Sequence, residues 1–179
     1  MKPVSEVTSM PPAAAQIFRL YLMRHAQAGW ALPGQKDFDR TLDDTGYAQA
    51  EMIADRAADR GFRPDKVLCS TATRCRETAE ALHRAMGEEL EIDYTDMLYA
   101  GPANVYTDII DAWQDDGSLM LVGHNPMMEE LVQALLGETA AANATPTGYP
   151  CAGLAVIDID RSPSARASAP GRLVAFLAP

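Results

Sequence analysis

Apolar residues occur along the chain in short blocks that alternate between two rhythms. Ile17 to Met23 (IFRLYLM) is a compact apolar and aromatic run, which predicts a buried strand. Residues 26–42 break the run with Gly29, Pro33 and Gly34 and predict a loop. The rhythm then changes. Tyr47, Ala50, Ile53, Ala54 and Ala57 recur at helical spacing, while Glu51, Asp55 and Asp59 fall on another face. A helix is therefore predicted from about Thr45 to Arg60. Asp43, Asp44 and Thr45 are all good N-cap types, and Gly61 ends it.

The same alternation repeats downstream. Lys66 to Cys69 (KVLC) predicts a second strand, and Thr71 to Met86 a second helix closed by Gly87. Leu90 to Asp93 (LEID) is a third, weaker strand. Asn104 to Trp113 reads as a helix with Val105, Ile109 and Trp113 on one side. Leu119 to Val122 (LMLV) is a fully apolar strand. Asn125-Pro126 then opens a helix to about Leu136, with Asn as the cap and Pro in the first turn. Residues 137–150 (GETAAANATPTGYP) read as a long irregular loop, a flap over a site. Ala152 to Ile159 and Arg172 to Leu177 are two late strands joined by a Ser/Pro-rich segment.

Strands alternating with helices predict an α/β fold: a three-layer sandwich with a mainly parallel central sheet flanked by helices. There is no internal repeat and no second-domain signature. The expectation is one domain over residues 17–179, preceded by a loose tail over 1–16 where Pro11-Pro12 discourages helix.

Length and composition fit that picture. A chain of 179 residues suits one domain with a proper core. Hydrophobic residues at 47% and charged residues at 22% are the mix of a soluble globular protein. No run of about 18 apolar residues exists to form a transmembrane helix, and the first sixteen residues lack the apolar core of a secretory signal. Net charge is −10, which argues against nucleic acid and anionic membranes as partners. Any anion site must then be a local basic pocket on a negative protein. Cys69, Cys75 and Cys151 show no CxxC spacing. Their odd number, without an export signal, predicts reduced thiols in the cytosol, packed as small core residues. Three histidines without a metal-type cluster argue against structural zinc.

Charge and chemistry concentrate where strands stop. Ligands of open α/β sheets gather at the carboxyl ends of the strands. Arg24 and His25 follow the first strand; Ser70 follows the second, with Arg74 one turn into the next helix; Gly123, His124 and Asn125 follow LMLV. Two arginines and two histidines converging on one sheet edge form a compact positive pocket. Helices starting near Thr71 and Pro126 add partial positive charge. Arginine's planar fork matches phosphate oxygens, so a phosphoryl group is the natural occupant. A neutral imidazole can attack phosphorus in line and carry the phosphoryl group until water removes it. The other cations would hold the equatorial oxygens, with no metal or cofactor required. Some residues keep two readings. Ser70 contacts phosphate or caps the helix at Thr71. Arg40 lies near the pocket or is a solvated loop charge. Asp96 is a plain surface carboxylate or an acid catalyst. His83 reads as a surface or structural histidine.

Four segments together carry a family resemblance: LMRHA, DRTLDDTG, STATRCRETAE and LMLVGHNP. Each is weak alone, but all four stand in order and at the expected ends of elements. The sequence resembles the histidine phosphatase superfamily, with its phosphoglycerate-mutase-like fold, and within it the short SixA-type phosphohistidine phosphatases. Ala26 stands where the family usually has glycine. Ser70, Arg74, Thr78 and Ala79 match the third segment's pattern, whereas Thr71, Cys75 and Glu77 depart from it. The resemblance implies that His25 is the phosphorylated nucleophile, that Arg24 and Arg74 are phosphate ligands, and that His124 is the second catalytic histidine. Arg40, Ser70 and Asn125 are the further candidates for holding substrate.

Larger members place a glutamate after the third strand to protonate the leaving oxygen. Here the region reads DYTDMLYAGP, and Asp96 is its nearest carboxylate. An alkoxide needs a general acid to leave. Phosphohistidine leaves as neutral imidazole once its other ring nitrogen is protonated, near neutral pH. The expectation is a metal-independent phosphatase acting on phosphohistidine or small phosphate monoesters through a covalent phosphohistidine. Its partner would be a phosphorylated substrate such as a phosphohistidine-bearing protein. The alternatives are a phosphoglycerate-mutase-type phosphotransferase, or a non-catalytic phosphate- or protein-binding module. Intact Arg24, His25, Arg74 and His124 disfavour the last.

Overall fold

Strand side chains point alternately to opposite faces, and that alternation sorts the core into two halves. A computed structural model describes residues 16–115, 117–162 and 171–179. In β1 (Ile17–Arg24), Tyr21 and Met23 enter one core while Leu20 and Leu22 enter the other. β4 (Leu119–Gly123) divides the same way, with Met120 and Val122 opposite Leu119 and Leu121. The first core is closed by α1 (Asp44–Asp59) and α2 (Thr73–Met86) through Ala50, Ile53, Ala54, Ala79 and Leu82. The second is closed by α3 (Met97–Ala100), α4 (Val105–Ala112), α5 (Met127–Leu136) and α6 (Glu138–Ala144). Helices thus cover both faces of the sheet, as the alternating pattern predicts.

Together with β2 (Lys66–Ser70), β3 (Glu91–Thr95), β5 (Leu154–Asp160) and β6 (Arg172–Leu177), the sheet has six strands in the order β3-β2-β4-β1-β5-β6. β3, β2, β4 and β1 run parallel; β5 and β6 are antiparallel additions. β1, first in the chain, therefore lies inside the sheet. Its carboxyl end and those of β2 and β4 open on one edge.

Several expectations change. Residues 137–150 are not an irregular loop: Glu138–Ala144 form α6. The alanine run there is the best helix-forming composition, Gly137 turns the chain between α5 and α6 at φ +81°, and Ala141 and Tyr149 are buried in the second core. Nor does Asn125 cap α5. Pro126 occupies the cap position, after a cis Asn125-Pro126 bond, and makes no side-chain cap. The loop after β1 contains a short 3-10 turn at Asp37–Asp39. The expected tail, 1–16, falls on undescribed residues up to 15, and most of the segment between the late strands falls on 163–170, also outside the described residues. Among the described residues no helix is long and apolar enough to cross a membrane.

Candidate active site

His25 is fixed through its backbone before its side chain does anything. Its N–H donates to Gly123 O at 2.9 Å and its carbonyl accepts from Ala152 N at 3.1 Å. Ala152 holds a left-handed φ of +56° to make that contact, a conformation that costs a non-glycine residue about 1–2 kcal/mol. The next residue, Ala26, is fully buried, and its N–H donates to Thr78 Oγ1 at 3.0 Å. Thr78 in turn donates to Arg74 O at 2.7 Å. One hydroxyl thus ties the turn that carries His25 to the first turn of α2.

The His25 ring has one determinate tautomer. Nδ1 lies 2.7 Å from Ala26 O, and a carbonyl only accepts, so Nδ1 carries the hydrogen. Nε2 is then unprotonated, and its lone pair accepts from Arg74 Nε at 3.3 Å. Burial lowers the His25 pKa to about 3; the Ala26 contact opposes this, and His124, Arg74 and Arg24 add to it. The ring is therefore neutral across the ordinary pH range.

His124 stands 5.3 Å from His25, centroid to centroid. Its Nδ1 faces Arg74 Nη2 at 3.3 Å, and a guanidinium only donates, so Nδ1 accepts. The proton sits on Nε2, which donates to Ser70 Oγ at 2.8 Å. Burial first, then Arg74 and Arg24, lower its pKa to about 4, with Asp37 opposing. Below the ring, Cys75 Sγ lies 3.5 Å from Nε2, its thiol pushed up to about 12 chiefly by burial. Behind the backbone, Tyr106 Oη accepts from His124 N at 3.3 Å and donates to Leu98 O at 2.9 Å. Gly123 permits this: a Cβ there would stand 2.2 Å from Tyr106 Oη.

The two arginines differ in how they are held. Arg24 Nη1 donates to Tyr149 O at 2.5 Å, and Asn125 Nδ2 approaches the same carbonyl at 3.5 Å. Tyr149 is itself a pillar, donating to Leu22 O at 2.6 Å and accepting from Ala155 N at 3.0 Å. Arg24 Nε is buried without a hydrogen-bond partner. Arg74 is 6% exposed. Its Nη1 donates to Asp37 O at 2.7 Å and its Nη2 to Asp37 Oδ2 at 3.0 Å. Those two bonds clamp the outer end of the guanidinium and leave its inner edge on the histidines.

The structure brings Arg24, His25, Arg74 and His124 together at the edge predicted for them. The other candidates are distributed around them. Ser70 bonds to His124 and accepts from Ala72 N at 3.4 Å. Arg40 bonds to Gly29 O at 2.8 Å and to Asp37 Oδ1 at 2.9 Å, so its link to Arg74 runs through Asp37. Asn125 reaches Glu129 at 3.3 Å, and its Oδ1 is buried without a partner. Asp96 accepts from Thr71 Oγ1. Glu77, which departs from the family's pattern, accepts from Leu42 N at 2.6 Å and Tyr47 Oη at 2.8 Å, pinning the end of the 26–42 loop. His83 is half-buried and lines a separate cleft with Glu80, Arg84 and Tyr94.

Sequence reasoning missed Asp37 and Tyr99. Tyr99 packs edge-on against His124 at 5.6 Å and Phe38 at 5.0 Å, and its hydroxyl donates to Asp37 Oδ2 at 3.2 Å. Neither belongs to a periodic segment, so no hydrophobic pattern marks them. Among the described residues no group of three or more His, Cys, Asp or Glu is placed to hold a metal ion.

Comparison with known proteins gives this geometry its context. The model of the histidine phosphatase superfamily (branch 1) matches residues 20–99, which contain Arg24, His25 and Arg74. An uncharacterised protein of Mycobacterium leprae is 31% identical over 144 residues, covering 76% of this chain and 87% of that one. The crystal structure of a SixA-type protein from Agrobacterium tumefaciens superposes with a TM-score of 0.81 at 47% identity, covering 90% of this chain and 98% of that one. A protein histidine phosphatase SixA complexed with tungstate shares the fold, with a TM-score of 0.73 at 19% identity over 90% of this chain and 97% of the other. The chain belongs to branch 1 of the histidine phosphatase superfamily and is an enzyme of the phosphatase class.

Proposed function

We propose that this phosphatase hydrolyses phosphohistidine through two in-line displacements, with the phosphoryl group carried on His25 Nε2 in between. The observation that carries the reading is the His25 tautomer. With Nδ1–H given to Ala26 O, the unprotonated nitrogen is Nε2, whose lone pair accepts from Arg74 Nε at 3.3 Å and would exchange that bond for phosphorus. In the first step that lone pair forms the N–P bond as the substrate's P–N bond breaks. The substrate imidazole departs neutral, keeping the proton on its other nitrogen. In the second, water attacks phosphorus, the His25 N–P bond breaks, and phosphate leaves; the surplus proton of the water passes to solvent. His25 never gives up Nδ1–H.

Arg74's inner edge, the unused Arg24 Nε and the His124 ring are the groups available to phosphoryl oxygens. Burial, then the arginine charges, depress the His124 pKa; a dianion beside the ring opposes both and favours an imidazolium with Nδ1–H as a donor. The arginines and this imidazolium supply the positive charge for transition-state stabilisation, so the step runs without a metal. The 47% identity to the SixA-type protein of Agrobacterium tumefaciens supports phosphohistidine as the substrate class. The absence of a glutamate after β3 favours a leaving group that needs no general acid.

The test is a rapid-quench experiment with a phosphohistidine peptide labelled on phosphorus, in wild type and His25→Ala, with and without EDTA. Wild type should release phosphate and trap acid-labile label on the protein, unaffected by EDTA. His25→Ala should trap none. Label retained on the variant would misplace the nucleophile, EDTA sensitivity would require a metal, and an inert phosphohistidine peptide would refute the substrate.

A further inference from the structure

Asp37 is the one acidic side chain in contact with Arg74 among the described residues. A carboxylate on a phosphate-binding arginine opposes a doubly negative substrate through like-charge repulsion. Oδ1 accepts from Arg40 Nη1 at 2.9 Å; Oδ2 accepts from Arg74 Nη2 at 3.0 Å and Tyr99 Oη at 3.2 Å. An ionised carboxylate offers about four lone-pair sites, so these three bonds leave room for another donor. The side chain is 52% exposed and so open to an incoming group. Arg40, Arg74 and Tyr99 hold it below the usual carboxylate range, so it accepts protons poorly but hydrogen bonds well. Of the other titratable groups, His124 feels the charge of Asp37 and packs against the edge of Tyr99, and Asp39 acts on the Tyr99 hydroxyl.

The same guanidinium orders both partners of the reaction. Arg74 Nε faces His25 Nε2 while Arg74 Nη2 faces Asp37, so nucleophile and carboxylate are separated by about one guanidinium. We propose that Asp37 accepts a hydrogen bond from the protonated ring nitrogen of the departing imidazole, and thereby selects phosphoramidates over phosphate esters. This inference rests on the phosphohistidine reading above. As the His25 Nε2–P bond forms and the substrate's P–N bond breaks, the bonding pair returns to the leaving nitrogen and cancels the imidazolium charge. The proton stays on the other nitrogen and none crosses to Asp37. Before that step the carboxylate stabilises the imidazolium, raising its pKa and extending the reactive form to higher pH. An ester brings no such N–H and meets only the repulsion. Tyr99, 37% exposed, gives the leaving ring an aromatic wall.

Single-turnover consumption of a phosphohistidine peptide and of p-nitrophenyl phosphate, at saturating enzyme from pH 6 to 9, tests this in wild type, Asp37→Asn and Asp37→Glu. Asp37 also orients Arg74, and that role would slow both substrates alike. The inference predicts more: Asn lowers the phosphohistidine-to-ester rate ratio about tenfold, the effect of one charge-assisted hydrogen bond. It also shifts the alkaline limb of the phosphohistidine profile downward, and Glu restores part of both. Equal losses on the two substrates, or an unmoved alkaline limb, would overturn it. Wild type that consumes the ester but not the phosphohistidine peptide would instead sink the substrate reading, and this inference with it.

Discussion

Replacing Thr78 with valine removes one oxygen and leaves the volume almost unchanged. Thr78 is fully buried, and its Oγ1 is the hydrogen-bond partner of the buried Ala26 N–H. Its other partner, Arg74 O, lies one turn earlier in α2, where the helix ladder still serves it. The loss is therefore one unpaired buried donor, worth about 1–3 kcal/mol. For a chain of this size that corresponds to a fall in Tm of about 2–12 °C. The functional effect has a separate route. Ala26 O holds His25 Nδ1 at 2.7 Å, so a turn released from α2 lets the His25 ring, the proposed nucleophile, drift. Drift approaching 1 Å costs on the order of 10²-fold in rate, and a drop between about 10- and 100-fold is expected. Thr78→Ser is the control: it keeps the oxygen and loses one methyl, about 1 kcal/mol, with the rate nearly intact. Urea denaturation and phosphatase turnover on both variants decide the matter. Valine matching wild type in both assays, or serine losing as much rate as valine, would refute the account of how His25 is held.

Two further outcomes follow from the same geometry. Gly123→Ala should displace Tyr106, because the new Cβ would lie 2.2 Å from its hydroxyl; overpacking of this kind costs about 1–3 kcal/mol, and the shifted His124 backbone should lower turnover, both measurable on the purified variant. Stability should also depend on acidity through the two site histidines. Their folded pKa values, about 3 and about 4, lie below the ordinary 6.5, so below pH 6.5 the unfolded chain binds protons that the folded one refuses. Stability is then lost as pH falls from 6.5 toward 4, by up to about 1.4 kcal/mol per pH unit for each histidine. Denaturant titrations at pH 7.5, 6 and 5 read this directly, and a flat profile would mean that the rings charge within the fold.

What the sequence discloses about the site follows from where its residues lie. Arg24, His25, Ser70 and His124 stand at strand ends, and parallel strands deliver their carboxyl ends to one edge. Order along the chain therefore translates into convergence in space. Other features depend on register and packing. Ser70 has two sound readings in sequence; its bond to His124 exists because β2 and β4 pair with Cys69 opposite Val122. Asp37 and Tyr99 reach the site from a loop turn and a four-residue helix, elements too short for any periodicity. In residues 137–150 the flanking Gly, Thr and Pro suggest irregularity. Local alanine content and burial of Ala141 decide for a helix. The change of strand direction at β5 leaves no mark on hydrophobic pattern, because buried strands of either direction are apolar throughout.

The place of β1 inside the sheet has a bearing on biosynthesis. A ribosome makes β1, which ends in Arg24 beside His25, before either of its neighbours in the sheet, β4 and β5. Arg24 waits 125 further residues for the carbonyl of Tyr149 that orients it. A nascent chain that has not reached Tyr149 thus carries Arg24 beside His25 without the carbonyl that fixes its guanidinium.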